Sequence, residues 1–200
     1  MRKQNRKSTQ SGHAIMEFAL MAMPLITFLL GVTSIGFNLG RAVQVAQVCR
    51  DASSMYVRGV DFSHPGNQAI LIRLGEKLGM ANGSGRGVVI LSKVTYISQS
   101  TCNTLGLPNC NGNKHVITQR IVVGNPNLRS SLIGTPNPLL IDSKGLVRDY
   151  MTEPTAVANF SDIQLYENEF AYVVETFFSA PDLAFAGFSN GIGNYMRAVF

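Results

Sequence analysis

The sequence predicts an α+β protein in which a long N-terminal transmembrane-plus-amphipathic helix packs against a small antiparallel β-sheet domain. Three observations predict it. Residues 18–40 run for 23 positions without a charge. Residues 41–57 contain neither Pro nor Gly and carry a small-residue stripe at helical spacing. Three later runs are rich in β-branched residues and are separated by segments dense in Gly, Pro and Asn. Composition agrees: 46% of the 200 residues are hydrophobic and only 14% are charged. Ordinary soluble domains carry about 25% charged residues, so part of this chain is expected outside water.

The apolar run FALMAMPLITFLLGVTSIGFNLG begins at Phe18 and ends at Gly40. At about 1.5 Å per residue a helix of this length extends roughly 35 Å, enough to cross a hydrocarbon core of about 30 Å. A cleaved secretory signal has an apolar centre of only about 7–15 residues, and a buried core helix is usually shorter and two-faced. Pro24 falls inside the span, removes one backbone donor, and predicts a kink over residues 20–24. Arg2, Lys3, Arg6 and Lys7 precede it, and the first acid is Glu17. The positive-inside rule therefore places the N-terminus in the cytoplasm and everything beyond about residue 41 on the exported side. Glu17 stands at the entrance of the apolar run, where an unpaired carboxylate is costly in lipid but suits the positive end of a helix.

Beyond the span, Ala42, Val45, Ala46, Cys49, Ala52, Ser53 and Tyr56 recur every three or four residues, which extends the helix to Val57, with Gly59 as its stop. Residues 60–66 read as a turn, Asn67–Leu78 as a short helix with Pro65 near its start, and Gly79–Gly87 as a flexible loop. Val88–Ile97, Val116–Val123, Phe170–Phe178 and Tyr195–Phe200 read as strands. Residues 124–163 hold four of the eight prolines and read as a long irregular excursion.

Several functions are disfavoured. The formal charge of +5 comes from the N-terminal tip: without residues 1–12 the count is 13 basic against 12 acidic, so no nucleic-acid footprint is expected. Gly83-Ser84-Gly85-Arg86-Gly87 precedes a strand and lacks a Lys-Ser/Thr ending, which excludes a phosphate loop. His64 and His115 have no accompanying nucleophile motif, and Glu167 and Glu169 read as a solvated edge, so no catalytic residue, metal site or cofactor is expected. The aromatics of residues 166–178 read as core. Cys102 and Cys110 flank a turn-prone loop, and an intrachain disulfide is favoured in an oxidising compartment; zinc is the weaker alternative, because only His115 lies nearby. Cys49 is left over as a small packed residue, with intermolecular pairing as the lesser option.

The junction Ser11-Gly12-His13-Ala14-Ile15-Met16-Glu17-Phe18 resembles the processing site of type IV pilin-like precursors: a glycine, four residues, a glutamate and an aromatic. Over residues 11–59 the chain resembles the TadE/TadG-like pseudopilins, the minor pilins of tight-adherence (Flp-type) pilus systems. Glu17-Phe18-Ala19-Leu20, Pro24, Gly36 to Arg41 and Arg50-Asp51-Ala52 carry the match. It covers about a quarter of the chain, recurs weakly in Tyr172–Phe178, and meets a departure at His13, where glutamine or a small or apolar residue is usual.

The resemblance implies a pilin-like fold in three parts: a cytoplasmic basic leader over 1–12, a helix over 13–59, and an exported domain over 60–200. It implies cleavage by a prepilin peptidase after Gly12, leaving His13 as the new N-terminus. Glu17 and Phe18 would then act in assembly, with the Glu17 carboxylate paired to the N-terminal amine of a neighbouring subunit. The implied partners are that peptidase, other pilins or pseudopilins, the inner-membrane assembly platform and the lipid bilayer. The implied location is the bacterial inner membrane, single-pass, with a periplasmic C-terminal domain that can enter a surface pilus serving adhesion. Two other classes stay open: an uncleaved, membrane-tethered periplasmic binding or scaffold module, and an anchored hydrolase.

Overall fold

The computed structural model describes residues 10–161, 163–180 and 193–200. One helix, α1, runs unbroken over Gln10–Val57, 48 residues, with Pro24 inside it. At about 1.5 Å per residue it is roughly 72 Å long. Its end is set by Gly59, whose φ of 85° is open to glycine at little cost. There the Gly59 amide donates to the Tyr56 carbonyl at 3.0 Å and the Val60 amide to the Met55 carbonyl at 3.1 Å. These two bonds form a Schellman stop, satisfying carbonyls that the helix leaves free.

A second helix, α2, spans Pro65–Gly75, with proline as its first residue, and a single 3-10 turn, Glu76–Leu78, prolongs it. The segment expected to be a flexible loop is instead a small hairpin: β1 (Met80–Ala81) pairs antiparallel with β2 (Ser84–Gly85). Gly79, Gly83 and Gly85 all take positive φ, so the glycines that read as flexibility in fact close a tight turn. Met80 from this hairpin is buried in the core.

The main sheet is four-stranded and antiparallel, in the order β4-β3-β5-β6: β3 is Gly87–Ile97, β4 Lys114–Gly124, β5 Phe170–Phe178 and β6 Asn194–Val199. Between β3 and β4 lies a short helix, α3 (Gln99–Leu105), for which the sequence offers no apolar periodicity. It is held at its ends: the Ser98 hydroxyl accepts from the Thr101 amide at 3.1 Å, and Gly106 closes it with φ 60°. A bulge in β4 shifts the register from Lys93↔Gln119 to Val94↔Ile117. The extra residue, Thr118, is used twice: its hydroxyl donates to the Lys93 carbonyl, and its carbonyl accepts from the Val147 amide.

Both faces of the sheet are covered. On one, Val89, Leu91, Ile121, Val123, Val174 and Phe178 meet Val45, Val48, Cys49, Ala52 and Tyr56 of α1 and Leu71 of α2. On the other, Val94, Ile117, Ala171 and Val173 lie under Ile133, Val147, Ala156, Ala158, Phe160 and Leu165. The excursion after β4 is irregular as read, apart from one-turn 3-10 pieces at Pro138–Leu140 and Pro154–Ala156, but it serves as a second packing layer. A strand covered on both faces is apolar almost throughout, which is why β3 is nearly continuously buried. The aromatics of 166–178 divide: Phe177 and Phe178 are core, whereas Tyr166 and Phe170 are exposed, a correction to the reading of all of them as core.

Close packing at the start of β3 makes a directional prediction. A Cβ placed on Gly87 would lie 2.4 Å from Cε1 of Phe178, a ring with no exposed surface and no room to yield. Gly87→Ala is expected to destabilise the domain by about 1–3 kcal/mol in chemical denaturation. Gly66→Ala, on α2 with no atom within 4 Å of the added carbon, is expected to be neutral or stabilising by up to about 1 kcal/mol.

Candidate functional site

Among the described residues, α1 has no packing partner over most of its length before Gly36. Phe18, Leu20 and Met23 are 74%, 77% and 76% exposed, and large apolar side chains stay exposed through Leu39. Mean hydropathy reaches 2.1 over an 18-residue window of this helix, and none of that window is buried. So continuous an apolar surface is far beyond what a monomeric soluble protein leaves in water. The helix is long and apolar enough to cross a membrane.

Its polar side chains fold back onto its own backbone. Thr27 Oγ1 donates to the Met23 carbonyl at 2.9 Å, Thr33 Oγ1 to Leu29 at 2.8 Å, and Asn38 Nδ2 to Ser34 at 3.1 Å. Such bonding satisfies hydroxyl and amide donors without water, as a hydrocarbon environment demands. Pro24 leaves the helix continuous on both sides.

Gly12 and His13 lie in the opening turns of α1, and Glu17 follows His13 by one helical turn. His13, Met16, Glu17 and Leu20 line one shallow apolar depression. Glu17 is exposed and makes no hydrogen bond or ion pair among the described residues. Phe18 projects beside it. These four positions therefore sit together at one end of a bare helix. Cys102 and Cys110 belong elsewhere, on α3 and the loop before β4, where they are disulfide-bonded with Cα atoms 5.8 Å apart.

The remaining residues singled out in the sequence have local structural duties. Cys49 is 1% exposed between α1 and the sheet, its thiol donating to the Val174 carbonyl. Burial pushes that thiol's pKa up, and the packing closes it to a second chain's cysteine. Glu167 accepts from the hydroxyls of Ser98 (2.9 Å) and Thr101 at the start of α3, and these bonds hold its carboxyl below the usual range. Glu169 accepts from the Tyr166 amide at 2.8 Å. Both are exposed, as a solvated pair would be, but neither lies within a strand: Glu167 is bound at the start of α3 and Glu169 closes the turn from Tyr166. His115 is flanked by Tyr96, tilted at 59°, and Phe160, edge-on at 80°, with ring centroids 5.6 and 5.5 Å away. His64 faces Asp61 at 3.4 Å on the surface. Among the described residues no group of three or more His, Cys, Asp or Glu side chains converges as a metal site would.

One polar centre escaped the sequence reading. Glu175, in the middle of β5, is 1% exposed. It accepts from the Leu132 amide at 2.9 Å, the Tyr195 hydroxyl at 2.7 Å and the Ser131 hydroxyl. Arg120, from β4, brings Nη1 to 3.9 Å from its carboxylate and donates from Nη2 to the Gly134 carbonyl at 2.6 Å. Burial lowers the Arg120 pKa to about 10, against the opposing pull of Glu175, so the guanidinium remains charged near neutrality. Burial and the Glu175 carboxylate together raise the Tyr195 phenol above its ordinary range. The only available signal was a glutamate inside YVVETFF, since a charge in a buried strand requires partners. The arrangement ties residues 131–134 to the sheet.

Comparison with family models, with curated proteins and with solved structures finds no match to this chain.

The buried centre yields a stability prediction. Glu175→Ala leaves Arg120 uncompensated and three donors unpaired, and is expected to cost about 3–5 kcal/mol in urea denaturation of the detergent-solubilised protein. Replacing both charges, Glu175→Leu with Arg120→Met, is expected to cost less than the single change.

Proposed function

We propose that the chain is a minor pilin or pseudopilin of the TadE-like kind, anchored through α1 and acting in assembly of a tight-adherence-type pilus and so in surface adhesion. The observation that carries this reading is the unpartnered Glu17 carboxylate at the head of an otherwise bare apolar helix. A carboxylate costs roughly 2.5–3.5 kcal/mol in a bilayer interior and becomes tolerable there when a cation neutralises it. An N-terminal amine freed by cleavage after Gly12 is such a cation, and supplied by a neighbouring subunit it biases the helix toward assembly.

In this reading the N-terminal tip lies in the cytoplasm, the span crosses the bacterial inner membrane, and the sheet domain faces the periplasm. The exposed stretch of α1 packs against other pilin helices and the assembly platform, and the sheet domain makes partner contacts. The Cys102–Cys110 bridge supports the exported location, since such bonds persist in oxidising compartments.

Glu17→Ala separates assembly from anchoring. Membrane insertion and leader removal are expected to stay normal, while incorporation into assembled pili, followed by immunoblot of sheared surface fractions, falls about tenfold or more, equivalent to the loss of about 1.4 kcal/mol of pairing. Unchanged incorporation would remove the assembly role and leave a membrane-tethered module as the reading.

A further inference from the structure

Where α1 leaves its uncharged stretch, the sheet domain comes back beside it. A cleft of about 320 Å³ opens there between the helix and the end of the 3-10 turn that follows α2. Gly36, Phe37, Gly40 and Leu78 line its apolar part; Arg41, Gln44 and Lys77 line the rest, and among the described residues no carboxylate lines it. Nη1 of Arg41 is shielded from solvent and has no hydrogen-bond acceptor among the described residues, and no ion pair is formed by Lys77 among them. A guanidinium nitrogen in that position is a donor waiting for an acceptor, because an unsatisfied, shielded donor costs about 1–3 kcal/mol.

We propose that this cleft binds the headgroup of an anionic phospholipid from the exported leaflet, with the phosphate on Arg41 and Lys77 and an acyl chain along Gly36, Phe37 and Gly40. The inference rests on reading α1 as a membrane span. Residue 41 carries the first charge after 23 uncharged positions, which puts the cleft at the boundary of hydrocarbon and headgroups. A phosphodiester is the ligand whose chemistry matches both halves of the lining: two cations and an amide on the water side, and a ridge of small residues and one aromatic on the lipid side. Planar donors of arginine pair with phosphate oxygens in a fork, and lysine adds a point charge. The site would fasten the sheet domain to the membrane surface and set the angle at which it stands.

Native mass spectrometry of the full-length protein, released from nanodiscs of mixed phosphatidylglycerol and phosphatidylcholine, tests this. One phosphatidylglycerol is expected to stay bound per chain, preferred over phosphatidylcholine by about 30-fold, as two basic side chains at an anionic surface provide. Arg41→Gln with Lys77→Gln is expected to abolish the preference, and Arg41→Lys with Lys77→Arg to retain it, which separates lost charge from lost fold. Equal retention of the two lipids, or an unchanged preference in the Gln variant, overturns the proposal. Displacement of the lipid by excess inorganic phosphate also overturns it, by showing a site for free phosphate. Resistance of the protein to alkaline extraction from membranes tests the span itself, so failure of the anchor and failure of the lipid site give different results.

Discussion

The structure depends on one contact: the last third of α1 against the sheet. Val45, Val48, Cys49, Ala52 and Tyr56 press onto Leu91, Ile121 and Val174, and all are buried. Because α1 is a single helix from Gln10 to Val57, this contact fixes the direction of everything N-terminal to it. The bare apolar stretch continues as the same helix from the end that is seated in the domain core. Small side chains at Cys49, Ala52 and Ser53 let the helix approach the strands closely, and the amphipathic pattern begins only after the uncharged run has ended.

The second face of the sheet is solved differently. Among the described residues no α-helix covers it; a chain of turns does, and turns bring unpaired backbone groups with them. Part of the answer is the Glu175 carboxylate, which accepts from the Leu132 amide and the Ser131 hydroxyl, while Arg120 donates to the Gly134 carbonyl on the other side of the same loop. The Thr118 bulge takes up Val147 in the same way. These bonds replace the regular ladder that a strand or helix would have provided. A charged pair at the centre of such a layer does not add much net stability, but it fixes which loop lies where, since any other placement leaves a charge buried alone.

Much of this was legible in the sequence, and for a physical reason. The uncharged run, the stripe of residues 45–56 and the β-branched run 170–178 are periodic or continuous signals, and α1 and β5 end where those signals end. What was hidden depends on partners distant in sequence. Helix α3 has no apolar face and exists through its Ser98 cap, its Gly106 stop and its disulfide. The hairpin at 80–85 looked like flexibility because glycine serves both mobile loops and fixed positive-φ turns. The covering role of Ile133, Val147 and Phe160 could not be read, since single apolar residues scattered among prolines and glycines carry no period. Of the positions proposed to act, Glu17 was legible as an anomaly on a helix; the cleft at Arg41 and Lys77 was not, because its two cations come from different elements.

On the proposed reading, the bare stretch of α1 begins in the working protein at the residue after Gly12 and serves assembly with other subunits. The most direct measurement is the intact mass and N-terminal sequence of the protein purified from the membranes of its own host. The account predicts a chain that starts at His13. A chain that still carries Met1–Gly12 would contradict it and leave α1 as an anchor alone.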